Sequence, residues 1–163
     1  MSIEFFHLLV LIIIANGAPV LARLLLGSKF NAAIDGGVVL VDNSPLFGAS
    51  KTWRGVFAAL LVTSACALFL GYSATIGMQI AIFAVSGDLL SSFIKRRLSL
   101  LPSSKAPLLD QIPESLFPAL MMMDLFDLQL FTVAVLVTSF TIIDLIVTYY
   151  LYHWRLLRKS RKS

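Results

Sequence analysis

Long apolar runs alternate with short polar stretches along the whole chain. Five such runs can be read, at residues 5–26, 56–72, 74–98, 112–126 and 128–152. About 20 apolar residues cover a bilayer core. The pattern therefore predicts an all-α integral membrane protein with five transmembrane helices, folded as a single membrane-embedded domain over residues 1–163.

The interruptions are as informative as the runs. Asn16-Gly17-Ala18-Pro19 sits inside the first run, where a polar residue beside Gly and Pro predicts a kink. Its freed backbone groups should face protein or water, because lipid cannot satisfy them. Asn16 then either serves packing or reaches a polar site. No basic residue precedes this run and Glu4 is acidic, so it does not read as a secretory signal. Turn formers crowd Ser28–Lys51 (Asp35-Gly36-Gly37, Asp42-Asn43-Ser44-Pro45, Gly48), which predicts irregular structure with a short β-like stretch at Val38–Val41. Trp53 is expected at a membrane interface. The fourth run is short and holds Pro113 and Pro118; Glu114, near its start, suits the positive end of a helix.

Composition sharpens this picture. The chain is 58% hydrophobic with a mean hydropathy of +0.89, against roughly 45–50% apolar residues in an average soluble domain. Charge is scarce, so each charged residue calls for a reason. Cys66, the single cysteine, excludes an internal disulfide and reads as a small helix residue. No internal repeat of the kind built into many transporters is visible. Every Lys and Arg falls at the end of the first run and its loop, at the end of the third run and its loop, or in the C-terminal tail. The opposite side holds only Glu4, Asp124 and Asp127. By the positive-inside rule the three basic regions are cytoplasmic, which predicts an outside N-terminus, a cytoplasmic C-terminus and two polar cytoplasmic loops in a multi-pass protein of the cell membrane.

That topology puts both polar loops at one end, where chemistry can assemble. On a helix, Asp88, Ser92, Lys95 and Arg96 fall at i, i+4, i+7 and i+8 and share a face. An ionised carboxylate in hydrocarbon costs several kcal/mol and is a functional candidate by default; the alternative for Asp88 is a structural ion pair with Lys95 or Arg96. Lys51 and Arg54 from the first loop, and Lys105 and Asp110 from the second, can meet this face. Two carboxylates could hold a divalent metal and several cations could hold phosphates. Asp144 in the fifth run either joins them or is satisfied locally by a threonine or the backbone. His7 and His153 lie near opposite faces, too far apart to share a metal.

These residues carry a resemblance. Leu46-Phe47-Gly48-Ala49-Ser50-Lys51-Thr52-Trp53-Arg54-Gly55, Gly87-Asp88 followed by Ser92-Phe93-Ile94-Lys95-Arg96-Arg97, and Pro107-Leu108-Leu109-Asp110-Gln111 together resemble the CDP-archaeol synthase family, small relatives of the phosphatidate cytidylyltransferases. The Asn16–Pro19 interruption and Asp35-Gly36-Gly37 fit as well. The resemblance implies Mg²⁺-dependent transfer of CMP from CTP to a lipid phosphate, giving a CDP-lipid and pyrophosphate. It implies Asp88 and Asp110 as metal ligands, acting catalytically with Lys95. It implies Lys51, Arg54, Lys95 and Arg96 as phosphate holders, with Thr52, Ser92, Lys105 and Asn16 also binding substrate. Ser50 and Ser91 stand where archaeal members tend to have glycine, and the Pro102–Lys105 linker differs; the acceptor, isoprenoid ether or acyl ester, stays open.

The chemistry agrees with the residues. A phosphate oxygen is already ionised at neutral pH, so the attack needs no Ser, Cys or His nucleophile; it needs charge neutralisation by metal and Lys/Arg. The expected partners are CTP, a lipid phosphate and membrane lipids, with no nucleic acid; a homo-oligomer is compatible with the sequence. A non-catalytic membrane protein, either a small transporter subunit or a lipid-binding scaffold, is the competing reading. A CDP-alcohol phosphotransferase is a weaker one, since its aspartate-rich helical motif is absent.

Overall fold

The computed structural model of the chain describes residues 2–101, 104 and 106–160, the last ten as backbone only. Five helices follow in order: α1 (Ile3–Leu26), α2 (Trp53–Phe69), α3 (Ala74–Arg97), α4 (Gln111–Met121) and α5 (Leu130–Ser160). Each of the five apolar runs thus contains a helix. α1, α3 and the Leu130–Tyr150 part of α5 are each long and apolar enough to cross a membrane, and α2 is a shorter apolar helix. The chain is an all-helical, multi-pass membrane protein.

α1 is the hub, packing against each of the other four helices. It runs as one continuous helix through Pro19. Pro19 has no N–H to offer the Ala15 carbonyl, and one turn earlier the Asn16 Nδ2 donates to the Ile12 carbonyl at 3.0 Å. Two apolar layers hold the bundle. Phe5, Leu8, Leu11 and Ile12 of α1 pack with Ile80, Phe126, Leu136 and Phe140 at one end. Above them Ala15, Ala59, Ala81 and Ala84 form a thin layer of small side chains that draws α1, α2 and α3 together.

Side-chain caps set two helix starts. Thr52 accepts from the Gly55 N–H at the start of α2, and Ser73 accepts from the Ile76 N–H at the start of α3. Glycines set two crossings. A Cβ on Gly77 would lie 2.6 Å from Ser64 Cα and 2.7 Å from the Thr63 carbonyl oxygen, so α2 and α3 touch backbone to backbone there. A Cβ on Gly87 would collide with the Pro113 carbonyl and lie 2.8 Å from the Glu114 nitrogen, which makes Gly87 the seat of α4.

That seat corrects the fourth span. α4 is 11 residues rather than the expected 112–126, about 17 Å long and roughly half a bilayer core. Gly87 lies ten residues before the end of α3, about 15 Å along its axis. The segment after α3 therefore turns back along the helix before α4 begins. Such irregular backbone is tolerated at membrane depth only where it is buried in protein or lines a cavity.

The first polar loop contains the short β-like element expected near Val38–Val41. Val39 and Pro45 form an isolated antiparallel bridge, and Leu46 N–H donates to the Val38 carbonyl at 3.0 Å. A second bridge, Ala33 with Thr52, closes the base of the loop. Arg97 ties the hairpin tip to the end of α3, with Nη1 3.1 Å from Asp42 Oδ1 and Nη2 donating to the Ser44 and Pro45 carbonyls at 3.2 and 2.8 Å.

The two kinds of glycine should separate on substitution. Gly87→Ala is expected to lower the thermal unfolding midpoint in detergent, at a cost of about 1–3 kcal/mol, as overpacking does. Gly17, with open space around its Cβ position, should be neutral or gain up to about 1 kcal/mol on replacement by Ala. Equal midpoints for the two variants would reject the α3–α4 contact.

Candidate active site

One cavity of about 1060 Å³ opens above the alanine layer, bounded by all five helices and both polar loops. Among the described residues its walls carry four carboxylates (Asp88, Asp110, Glu114, Asp144) and five cations (Arg23, Lys51, Arg54, Lys95, Arg96). Asn16, Thr52 and Ser92 line it too. Every expected site residue is therefore gathered in one place, except Lys105, which lies outside the described residues.

The α3 face behaves as its spacing predicts, but its partners differ. Asp88 pairs with Lys51, reached across from the first loop, and not with Lys95 or Arg96. Lys95 Nζ instead lies 2.6 Å from Asp110 Oδ1, an ion pair without the alignment of a hydrogen bond, and also donates to the Ser104 carbonyl at 3.4 Å. The second oxygen of Asp110 accepts from the Ala106 N–H at 3.1 Å. Each pair joins residues from different segments, so the two loops are held onto α3 by charge. Both pairs are partly exposed, so removing one member costs less than the loss of a fully buried partner would.

The two arginines diverge. Arg96 is 3% exposed and donates one Nη2 hydrogen bond to the Leu101 carbonyl, while its Nε and Nη1 have no partner among the described residues. A buried guanidinium short of acceptors favours an anion beside it. Arg54 is committed elsewhere: its Nη1 donates to the Gly27 and Lys29 carbonyls at 2.9 and 2.6 Å, and Nη2 reaches Asn31 Oδ1 at 3.4 Å. It thereby satisfies carbonyls of the turn that follows α1. Its geometry is that of a brace for the cavity wall.

Three residues join the site that spacing alone did not assign to it. The Glu114 carboxyl sits against Asp88, within electrostatic reach of Lys51 and Asp144. Gln111 accepts from the Leu108 N–H at 2.9 Å and donates to Asp144 Oδ2 at 2.8 Å, so Asp144 is tied to the cavity rather than to its own helix. The available signal was the run Asp110-Gln111-Ile112-Pro113-Glu114, whose polar residues recur at i, i+1 and i+4 on α4.

Asp35 organises the loop that delivers Lys51. Its Oδ2 accepts from the Phe47 and Gly48 N–H groups at 3.0 and 2.8 Å, and Oδ1 accepts from Gly37 at 3.1 Å. Gly37 and Gly48 have φ of 82° and 94°, which side chains disfavour. Burial raises the pKa of this carboxyl, but the backbone donors of Gly48, Phe47 and Gly37 outweigh it and hold it below its ordinary value.

The comparisons with known proteins can now be set against this geometry. The family description CarS-like CDP-archaeol synthase matches residues 3–157. The chain belongs to the CDP-archaeol synthase family. It is 43% identical over 105 residues to a CDP-archaeol synthase of Hyperthermus butylicus, covering 60% of this chain and 59% of that relative. To one of Staphylothermus marinus it is 35% identical over 113 residues, covering 66% and 61%. The chain thus spans about three fifths of the length of these CDP-archaeol synthases. It is also similar to the solved structure of an intramembrane enzyme for archaeal membrane lipid biosynthesis, with a TM-score of 0.75 and 30% identity over 88% of this chain and 91% of that one. The resemblance read from the motifs is therefore correct at the level of the family.

Because the Asp35 carboxyl has a lower pKa folded than unfolded, its contribution is present above the ordinary carboxylate range and is lost as pH falls through the depressed value. The Phe47 and Gly48 amides should stay protected from hydrogen exchange, after correction for intrinsic rates, from neutral pH down through that range. Asp35→Asn should expose them at pH 7, with about 1–3 kcal/mol lost from loop closure. Unchanged protection in the variant would reject the carboxylate as the loop's organiser.

Proposed function

We propose that this protein transfers CMP from CTP to a membrane lipid phosphate, yielding a CDP-lipid and pyrophosphate. What carries the reading is the cavity itself, where two carboxylate–lysine pairs and an under-bonded arginine face each other inside an apolar bundle. The family and the CDP-archaeol synthases it resembles support the same reaction and suggest an archaeol-type acceptor.

In the proposed reaction an acceptor phosphate oxygen attacks the α-phosphorus of CTP. The new bond is the lipid-phosphate O–Pα bond, and the bond that breaks joins Pα to the bridging oxygen of the β-phosphate. The attacking oxygen is already ionised, so no base is required. Lys51, Lys95 and Arg96 hold phosphate oxygens and offset the charge that develops on pyrophosphate. Thr52 and Ser92 bind substrate beside them. Lys105 fills the same role from the second loop, Asn16 lines the apolar end, and Arg54 supports the wall.

The donor chemistry fits Mg²⁺. Asp88 with Glu114 against it offers hard carboxylate oxygens, and no His or Cys is among the described residues lining the cavity. No group of three or more metal-ligating side chains forms a cage among the described residues; Mg²⁺ commonly takes one or two carboxylates and completes its shell with phosphate and water. Asp88 and Asp110 would hold it, with Glu114 supporting Asp88. Bound there, Mg²⁺ would act as a Lewis acid on the triphosphate.

The proposed topology has five membrane helices in the cell membrane, the N-terminus outside, and the cavity mouth and both polar loops cytoplasmic. Single cysteines at Asp42 and at Asp124, in a Cys66→Ala background, test it with a membrane-impermeant thiol reagent. Asp42 should react only from the cytoplasmic side and Asp124 only from the other. The reverse pattern would invert the topology.

The reaction is tested with labelled CTP, Mg²⁺ and a panel of lipid phosphates. Labelled CDP-lipid should form, vanish with EDTA and return with Mg²⁺ or Mn²⁺. Asp88→Asn should lower turnover by a hundredfold or more, about 3 kcal/mol of transition-state stabilisation at ~1.4 kcal/mol per decade, in protein that still folds. Undiminished synthesis in excess EDTA would reject the metal. Recovery of synthesis in an Asp88→Asn, Lys51→Met double variant would reduce Asp88 to a structural partner of Lys51.

A further inference from the structure

One cavity cation has no hydrogen-bond or ion-pair partner among the described residues. Among the described residues that line the cavity, Lys51 and Lys95 have carboxylates, and Arg54 and Arg96 have carbonyls. Arg23, in the last turn of α1, makes no ion pair or hydrogen bond and is exposed. Its neighbours on the wall also differ in kind from those of the loop side: Val20 and Leu24 flank it on α1, and Leu145 and Thr148 line the same cavity from α5.

α1 and α5 run parallel here, and their packing stops part-way. Through their first halves they share the apolar cluster, with Phe5, Leu8 and Ile12 in contact with the layer formed by Val133, Leu136 and Phe140. Beyond Ala18 on α1 and Thr141 on α5, no described side chain of either helix is buried. That is the level at which both helices line the cavity. Val20, Leu24 and Ile146 are left 43%, 51% and 50% exposed. A polar cavity, an apolar rim facing the bilayer and an unpaired guanidinium between them come together at this one place.

We infer that the gap between the second halves of α1 and α5 is the lateral opening through which the acceptor lipid reaches the cavity, and that Arg23 binds its phosphate. The inference rests on the proposed cytidylyl transfer and adds where the second substrate lies. CTP is soluble and can arrive through the loops, whereas the acceptor is amphiphilic. Its chains need an apolar path and its phosphate needs a cation at the end of that path. A guanidinium with no carboxylate partner gives phosphate its full set of donors, while Lys51 and Lys95 must share theirs. Sitting one turn from the helix end, Arg23 can hold the acceptor phosphate at the cavity mouth, facing the cations that hold the triphosphate.

The experiment separates the two substrates. In mixed micelles, Arg23→Gln should raise the KM for lipid phosphate about tenfold or more, the usual loss for one charge-assisted hydrogen bond. The KM for CTP should stay within about twofold. Arg23→Lys should recover most of the difference, and Leu145→Trp, which narrows the gap, should raise the same KM without touching the charge. A lipid phosphate carrying a diazirine in its chain should cross-link to α1 and α5 near Val20 and Leu145 in the wild type. A rise in the CTP KM instead would assign Arg23 to the nucleotide and overturn the inference. Unchanged KM values with reduced membrane insertion would make it an interfacial anchor only, which also overturns it. A wild type that makes no CDP-lipid from any acceptor would bring down the underlying reaction, and this inference with it.

Discussion

Charge buried in an apolar bundle must be answered within a few ångströms, and most of this structure follows from that requirement. Asp88 lies in a helix whose other faces meet apolar side chains, where an uncompensated carboxylate is costly. Its counter-charge, Lys51, comes from 37 residues away, so the first loop must fold inward over α3. Lys95 makes the same demand of the second loop through Asp110. The loops are therefore not free connections. They are lids fastened to one helix by two ion pairs and, at the hairpin tip, by Arg97.

Small residues make the geometry of those pairs attainable. Ion pairs act over a few ångströms, while helices bearing large side chains stand 8–10 Å apart. Gly87 removes the side chain that would hold α4 away and brings Glu114 beside Asp88. Ala15, Ala59, Ala81 and Ala84 do the same for α1, α2 and α3 just below. Larger residues take over in the other half of the bundle, where Phe5, Phe126 and Phe140 are completely buried. The fold is thus graded along its axis, from bulky and dry at one end to narrow-waisted and then polar at the other.

This grading also decides what could be read from the chain. Apolar run length located all five helices, and the i, i+4, i+7, i+8 spacing on α3 correctly grouped Asp88, Ser92, Lys95 and Arg96, because both are local properties. Pairing is not local. Nothing in the spacing says that Asp88 takes Lys51 and leaves Lys95 to Asp110, since either lysine could reach it in an unspecified tertiary structure. The end of α4 was overestimated because hydropathy continues past Met121 although the backbone turns. Arg54 was grouped with the phosphate holders by the motif it sits in, and nothing in that motif shows that its guanidinium donates to the Gly27 and Lys29 carbonyls just past α1. Glu114 was hidden for the opposite reason: an acidic residue in the first turn of a helix has a sufficient local explanation, which masks its contact across to α3.

Paired charges also make sense of why a bundle would carry such a cavity at all. A site built only of cations would bind polyphosphate tightly but would repel itself before anything arrived, and a site built only of carboxylates would do the same toward a metal. Alternating the two lets each lysine shield a carboxylate, so the walls stay close to neutral and the burial cost falls on matched pairs. On the proposed reading, a metal–nucleotide complex brings both signs with it. Carboxylates can then turn to the metal and lysines to the phosphates, exchanging partners without leaving any charge alone in a low dielectric. Among the described residues, Arg96 has two unanswered N–H groups and Arg23 has no partner, and both line this cavity. On the same reading, that imbalance gives the polyphosphate and the acceptor phosphate separate cations to engage.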